Sequence, residues 1–193
     1  MLKERLETAD WFDSNIRDYA EPITLLDGRE ALIRSIRPAD KNALQAFHSR
    51  LSPESLFLRY HYSKGQLTES DLKNFCEIDY SDNLGLVVEV DKNSQRTIIG
   101  VGRYCRLPDS DVAEIAFVVE DDEQRKGIGT HLLKHLARFA WGQGIRYFCG
   151  EVLRHNGNML SIFRKSDPTL QQEIDDHTTC SVKLSVAEVL HQK

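Results

Sequence analysis

No stretch of the chain is apolar for long enough to span a bilayer. The N-terminal region carries Glu4, Glu7, Asp10 and Asp13 and has no apolar segment of the kind a secretory leader needs. A soluble cytoplasmic protein with no membrane partner is therefore expected. Cysteine is scarce and scattered: Cys76, Cys105, Cys149 and Cys180 make no C-x-x-C pair and no zinc-like spacing. They read as reduced, mostly buried thiols, and no metal is expected. Basic excess is missing too. Lys and Arg number 25 against 30 Asp and Glu, a formal net charge of -5, which leaves no electrostatic footprint for nucleic acid. Repeats and low-complexity segments are also absent.

What is present suits one folded domain. A chain of 193 residues with 40% hydrophobic and 28% charged content can bury a sizeable core. Residues 1–28 are polar, with Leu2, Leu6, Trp11, Phe12, Ile16 and Tyr19 spaced loosely enough to allow a short helix, and read as an N-terminal arm ahead of a domain over 29–193. "REALIRSIRP" alternates and stops at Pro38, which suits a first strand. Leu44, Phe47, His48 and Leu51 recur at helical spacing up to Ser52-Pro53, and Thr68-Glu69-Ser70-Asp71 offers a cap before Leu72, Phe75 and Cys76, so two helices are expected. "LGLVVEV", "RTIIGVGRYCRL" and "DVAEIAFVVE" are β-branched and aromatic runs between turn clusters, the pattern of a three-stranded antiparallel meander.

The meander leads into "EDDEQRKGIGTHLLKHLARFA", where acids give way to Gln124-Arg125-Lys126-Gly127-Ile128-Gly129. An amphipathic helix through Leu132, Leu133, Leu136 and Phe139 follows, ending near Gly142 and Gly144. Glycine inside a helix costs about 1 kcal/mol against alanine, so two at a helix start need a reason. Free N–H groups at a helix N-terminus make an anion site, and glycines let phosphate oxygens approach. Neither G-x-x-x-x-G-K-[ST] nor G-x-G-x-x-G is present, and a tight turn alone would also explain the pair. Beyond the helix, "IRYFCGEVL" reads as a strand, Asn156 to Lys165 as a short helix closed by Asp167-Pro168, and "TLQQEI" with "TTCSVKLSV" as a terminal hairpin.

The Q/R-x-x-G-x-G/A pattern between a strand and a helix resembles the acetyl-CoA pyrophosphate loop of the GNAT superfamily of N-acetyltransferases. The order of elements from Arg29 to Val186 resembles it as well. "IRSIRPAD", "RLSPESLFLRYH" and "AEIAFVVEDDEQRKGIGTHLL" are most similar to the catalytic domain of Pat-type bacterial protein lysine acetyltransferases. The resemblance implies an α/β (α+β) GNAT fold: a mixed, mostly antiparallel sheet flanked by helices, with splayed central strands. It also implies acetyl transfer from acetyl-CoA to an amine, typically a lysine of a protein such as an acyl-CoA synthetase. At matching positions, Val118 and Val119 would meet the pantetheine arm. Gln124, Arg125, Lys126, Gly127, Ile128, Gly129 and Thr130 would hold the pyrophosphate, and Asn156 would contact the cofactor.

Glu114 matches the family's general base. A lysine amine with pKa near 10.4 must lose a proton before it can attack a thioester, and a carboxylate beside it can take that proton. A lone strand glutamate is otherwise a solvent-facing residue. The resemblance also implies a tyrosine acid in the last helix, but the aligned position is Phe163. A small-amine acetyltransferase and a non-catalytic acyl-CoA sensor are the rival readings. His131 and His135, four apart on a helix, lack the glutamate of H-E-x-x-H and read as surface or packing residues. The acids from Glu120 to Glu123 would repel phosphate, so they should face solvent or basic partners. Arg50, Arg59 and Lys64 suit either surface charge or attraction of an acidic cofactor.

Overall fold

The computed structural model describes residues 16–92 and 94–192. Eight strands form one sheet in the order β1-β2-β3-β4-β5-β6-β8-β7. They are β1 Ala20–Thr24, β2 Glu30–Ser35, β3 Asn83–Lys92, β4 Gln95–Arg106, β5 Val112–Val119, β6 Tyr147–Leu153, β7 Gln171–Ile174 and β8 Thr179–Ser185. Every neighbouring pair is antiparallel except β5 and β6, which run parallel. The helices are α1 Lys41–Ser49, α2 Pro53–Tyr60, α3 Glu69–Cys76, α4 Ile128–Gly142, α5 Gly157–Ser166 and α6 Val186–His191.

Burial on both faces explains the apolar run of β3 from Leu84 to Val88; all residues from Leu84 to Val90 are buried, Glu89 included. One face packs on α4 through Leu86, Val88, Phe117, Leu132 and Leu136. The other packs on α1 and α3 through Val87, Val101, Leu44, Phe47 and Leu72. Between β2 and α1, "IRSIRPAD" builds a buried ion network: Arg34 forks to Asp40 at 2.7 and 2.9 Å and to Glu89 at 3.0 and 2.5 Å. That motif serves the scaffold.

Two elements differ from the sequence-based expectation. Ala20–Thr24, inside the stretch read as an arm, pairs with β2 as an edge strand, with Pro22 on the edge where a missing N–H is tolerated. The sheet thus takes in part of residues 1–28, and residues 1–15, with the possible helix there, lie outside the described residues. Between β2 and β3 the structure has three helices where two were expected. Ser52-Pro53, read as a stop, is a start: Ser52 caps α2 by accepting from the Ser55 N–H, and Pro53 takes the first-turn position, where no N–H is needed. The capping box expected at Thr68 and Asp71 is present. The C-terminal hairpin forms despite Asp167-Pro168. Asp167 is buried and holds it, accepting from Thr169 N–H at 2.7 Å and from Ser185 N–H at 2.7 Å.

Candidate active site

The parallel ladder between β5 and β6 is short. It pairs Val112 with Tyr147, Ala113 with Phe148 and Glu114 with Cys149, and then the strands part. From Ile115 to Val119, β5 has β4 on one side and no strand on the other, so its outward N–H and C=O groups border a cleft. Two cavities occupy it. A groove of about 420 Å³ runs from Val118 and Val119 past the β5–α4 loop, with α5 and α2 as its far walls. A second cavity of about 260 Å³ lies below, lined by Glu114, Ala116, Gly150, Glu151, Tyr60, His61 and Phe163. Leu58, Arg59, Phe117, Asn156 and Met159 border both, so the two are continuous.

The loop of the groove is built from a 3₁₀ turn at Asp121–Glu123 and two residues at positive φ, Arg125 at 61° and Gly127 at 86°. Gly127 is the α4 N-cap, and a side chain there would be strained in that left-handed conformation. At Gly129 the reason is space: a Cβ would stand 2.8 Å from Ile162 Cδ1 of α5. Among the described residues, the backbone N–H groups of residues 125–130 donate to no protein acceptor. They converge at the positive end of α4, a receptor suited to a doubly charged pyrophosphate.

Glu120 and Glu123 face basic partners and Asp122 faces solvent, as expected, whereas Asp121 takes hydroxyl partners that were not expected. Glu120 accepts from Arg50 Nε at 3.1 Å, and Asp121 accepts from the Ser52 N–H at 2.9 Å and the Ser55 hydroxyl at 2.9 Å. Glu123 is bound by Arg29, by Lys92 at 3.3 Å and by Lys126 at 3.0 Å. Burial alone would raise its carboxyl, but these cations outweigh it and hold the pKa down to about 2. Glu120 and Glu123 are therefore neutralised in place. Gln124 ties the loop to α2 through Ser55 Oγ at 3.1 Å.

The structure brings Val118, Val119, Gln124, Arg125, Gly127, Ile128, Gly129, Thr130 and Asn156 to the groove. Lys126 is not on its wall: its ammonium turns back to the Asp122 carbonyl at 2.6 Å and to Glu123. Asn156 caps α5, its Oδ1 accepting from the Met159 N–H at 3.1 Å. Glu114 stands exposed in the lower cavity at the last rung of the β5–β6 ladder, between Cys105 of β4 and Cys149 of β6. Burial, then the Glu114 carboxylate, pushes both thiols up, so they stay protonated beside it. Phe163 is buried, its ring against Phe117 with centroids 6.2 Å apart.

Tyr60, His61, Glu151 and Lys165 also line the cavities and were not singled out from the sequence. Tyr60 ends α2, His61 caps it and Glu151 lies on β6 near the parting, and the start of α2 had been read as a stop. His131 and His135 are packing residues under β1. His135 is buried against the Tyr19 hydroxyl, and burial holds its pKa down to about 4. No helix among the described residues is long and apolar enough to cross a membrane.

Three comparisons bear on this geometry. The GNAT acetyltransferase family model matches residues 47–166, which include α2, the meander, the loop and α5. An acetyltransferase of Pseudomonas aeruginosa is 29% identical over 163 residues, covering 84% of this chain and 88% of that protein. Acetyltransferase Pat of Mycolicibacterium smegmatis is 29% identical over 142 residues, 73% of this chain but only 42% of that longer protein. The crystal structure of the GNAT domain of S. lividans PAT superposes with a TM-score of 0.77 at 28% identity, covering 86% of this chain and 96% of that one. With the parted β5 and β6 and the anion-receptive start of α4, this match over most of the fold places the chain in the GNAT family of acetyltransferases, enzymes that draw their acetyl group from acetyl-CoA.

Proposed function

We propose that this protein transfers the acetyl group of acetyl-CoA to a lysine side chain of a protein, an acyl-CoA synthetase being the favoured target, with Glu114 as general base. The observation that carries the reading is the placement of Glu114: the one carboxylate on β5, at the point where β5 and β6 part, on the wall of the lower cavity that continues from the groove. In the groove, the N–H groups of residues 125–130 receive the pyrophosphate. The strand edge at Val118 and Val119, where the Val119 carbonyl accepts from Gln124 Nε2 at 3.4 Å, aligns the pantetheine arm, and the Asn156 amide borders both cavities. The residues present fit that co-substrate.

The chain's own part in the reaction is small and specific. Glu114 accepts a proton from the incoming ammonium, which is almost wholly charged at neutral pH. The freed amine attacks the thioester carbon, a C–N bond forms, the C–S bond breaks to release CoA thiolate, and the second nitrogen proton passes to solvent or to the thiolate as the amide forms. Phe163 offers no proton to it, and none is required, because a thiol with pKa near 8.5 is a tolerable leaving group. Cys105 and Cys149 are held protonated and poorly nucleophilic, which supports direct attack without an acyl-enzyme.

The test is acetyl-CoA turnover against a panel of lysine-bearing proteins, acyl-CoA synthetases included, beside a panel of small amines. Transfer to protein lysines is the expected result. Transfer confined to small amines would replace the acceptor class, and CoA binding without transfer to either panel would make the domain a sensor.

A further inference from the structure

Three cations whose purpose the sequence left open separate cleanly in the structure. Arg50 is tied to Glu120 and to the Ile98 carbonyl at 2.7 Å, and Lys64 to Asp71 at 2.8 Å. Arg59 has neither an ion-pair nor a hydrogen-bond partner among the described residues, and the same holds for Arg103 on β4. Each guanidinium rests only on an aromatic ring: Arg59 on Tyr60 at 5.0 Å and Arg103 on Phe75 at 4.2 Å. Both line one small hollow of about 20 Å³ between α1, α2, α3 and β4, and Arg59 continues from it into the larger cavity that holds Glu114.

The charges of the cleft are thus sorted by position. Glu114 and Glu151 stand on the parted strands, whereas the two guanidiniums gather on the α2 and β4 side. Arg103 sits opposite Ala116, two residues along β5 from Glu114, a step of about 7 Å on the same face. Burial pulls both guanidiniums down, Arg103 to about 10, with the Arg59 charge adding to it, so each remains a cation at neutral pH. Two half-buried like charges with no carboxylate in hydrogen-bond reach, Arg59 having only the more distant Glu114 charge in its favour, are costly in an isolated fold, and a carboxylate between them would relieve both through charge-assisted hydrogen bonds.

Resting on the reading of Glu114 as the base beside the acceptor amine, we propose that the acceptor carries a carboxylate near that amine, bound by Arg59 and Arg103 while Glu114 faces the ammonium. The carboxylate belongs either to a small amino acid or to an acidic residue next to the acceptor lysine. Protein lysines without an acidic neighbour are then poor acceptors.

The experiment has two arms. One compares 6-aminohexanoate with 6-aminohexanamide, and the other compares lysine peptides bearing Asp or Asn beside the lysine. In the arm that matches the natural source, the acid form is expected to be favoured about tenfold or more in kcat/KM, the scale of one or two charged hydrogen bonds. Arg103→Met, which keeps an apolar stem on Phe75, and Arg59→Met should bring that ratio near one while calorimetric CoA affinity in Arg103→Met stays at the wild-type value. Arg103→Lys, folded by circular dichroism, should keep part of the preference. Equal rates for acid and neutral forms in both arms, or a preference that survives both Met variants, would overturn the proposal. If no amine is acetylated, the reading of the reaction fails separately. Titration of 6-aminohexanoate and 6-aminohexanamide into CoA-saturated protein then decides: tighter binding of the acid that is lost in Arg103→Met upholds the carboxylate site, and equal binding ends it.

Discussion

The two ends of the cleft treat charge in opposite ways. Around the β5–α4 loop both buried carboxylates are answered by cations, Glu120 by Arg50 and Glu123 by Arg29, Lys92 and Lys126, and the exposed Asp121 accepts from the hydroxyls of Ser52 and Ser55. Beyond Glu114, the guanidiniums of Arg59 and Arg103 touch aromatic rings and have no ion-pair or hydrogen-bond partner among the described residues. The difference teaches what each end waits for. Where the receptor is backbone N–H, the side chains cancel one another so that the helix terminus sets the field. Where the receptor is made of side chains, they stay unpaired.

The largest expected effect falls on the boundary between these ends. Glu114→Gln keeps the shape and removes the base, so the rate should fall about 10²- to 10⁴-fold and recover in part at high pH, where more amine is neutral. CoA affinity, measured on the same preparation, should stay near wild type. Near-normal turnover at neutral pH would remove Glu114 from the mechanism.

Next comes the backbone receptor. Gly127→Glu puts a negative charge against the pyrophosphate and a side chain at a φ of 86°. A unit charge at about 4 Å and an effective dielectric near 20 costs about 4 kcal/mol, so calorimetry should show CoA binding weakened by about 10³-fold. Unchanged affinity in a folded variant would refute the loop assignment.

Smaller effects probe the wall and the ion cluster. Phe163→Ala should cost about 3–5 kcal/mol of stability, read by denaturant unfolding, because the ring is buried against Phe117. Acid titration of stability should show two windows. His135 is neutral in the fold with its pKa held to about 4, so its contribution is complete above the unfolded value near 6.5 and is lost as pH falls from there through about 4. Glu123, held to about 2, contributes fully above the unfolded value near 4.3 and is lost as pH falls through about 2. Glu123→Gln should flatten the lower window and leave the upper one, and a profile identical to wild type would show that its ion pairs do not stabilise the fold. Phe163→Tyr is expected to change least, preserving turnover or raising it modestly; a large rate loss with intact folding would give the ring another role.

Much of this was legible in residue order. Periodicity marked the meander and α4, and the Thr68–Asp71 box marked α3, because these are local signals of burial and capping. The groove residues were legible because a backbone receptor is contiguous: the strand end, turn and helix start lie within 118–130. Ser52-Pro53 misled because proline both ends one helix and begins another, and only the Ser55 N–H on the Ser52 hydroxyl shows which. With α2 read as a stop, Tyr60 and His61 had no place in the site, and Arg59 no direction.

By itself the amino-acid order determined the alternation of strand and helix, since that rests on contacts between residues near in sequence; the glycine pair ahead of Ile128 also suited a plain tight turn, and its resemblance to a family loop singled it out. Tertiary structure decided what depends on distance along the chain: that Ala20–Thr24 closes the sheet, that Glu123 meets Arg29 and Lys92, and that Glu114 stands between two protonated thiols. It alone decided which cations are spent on partners and which remain open, because pairing is settled by where side chains end, and no spacing of residues carries that information.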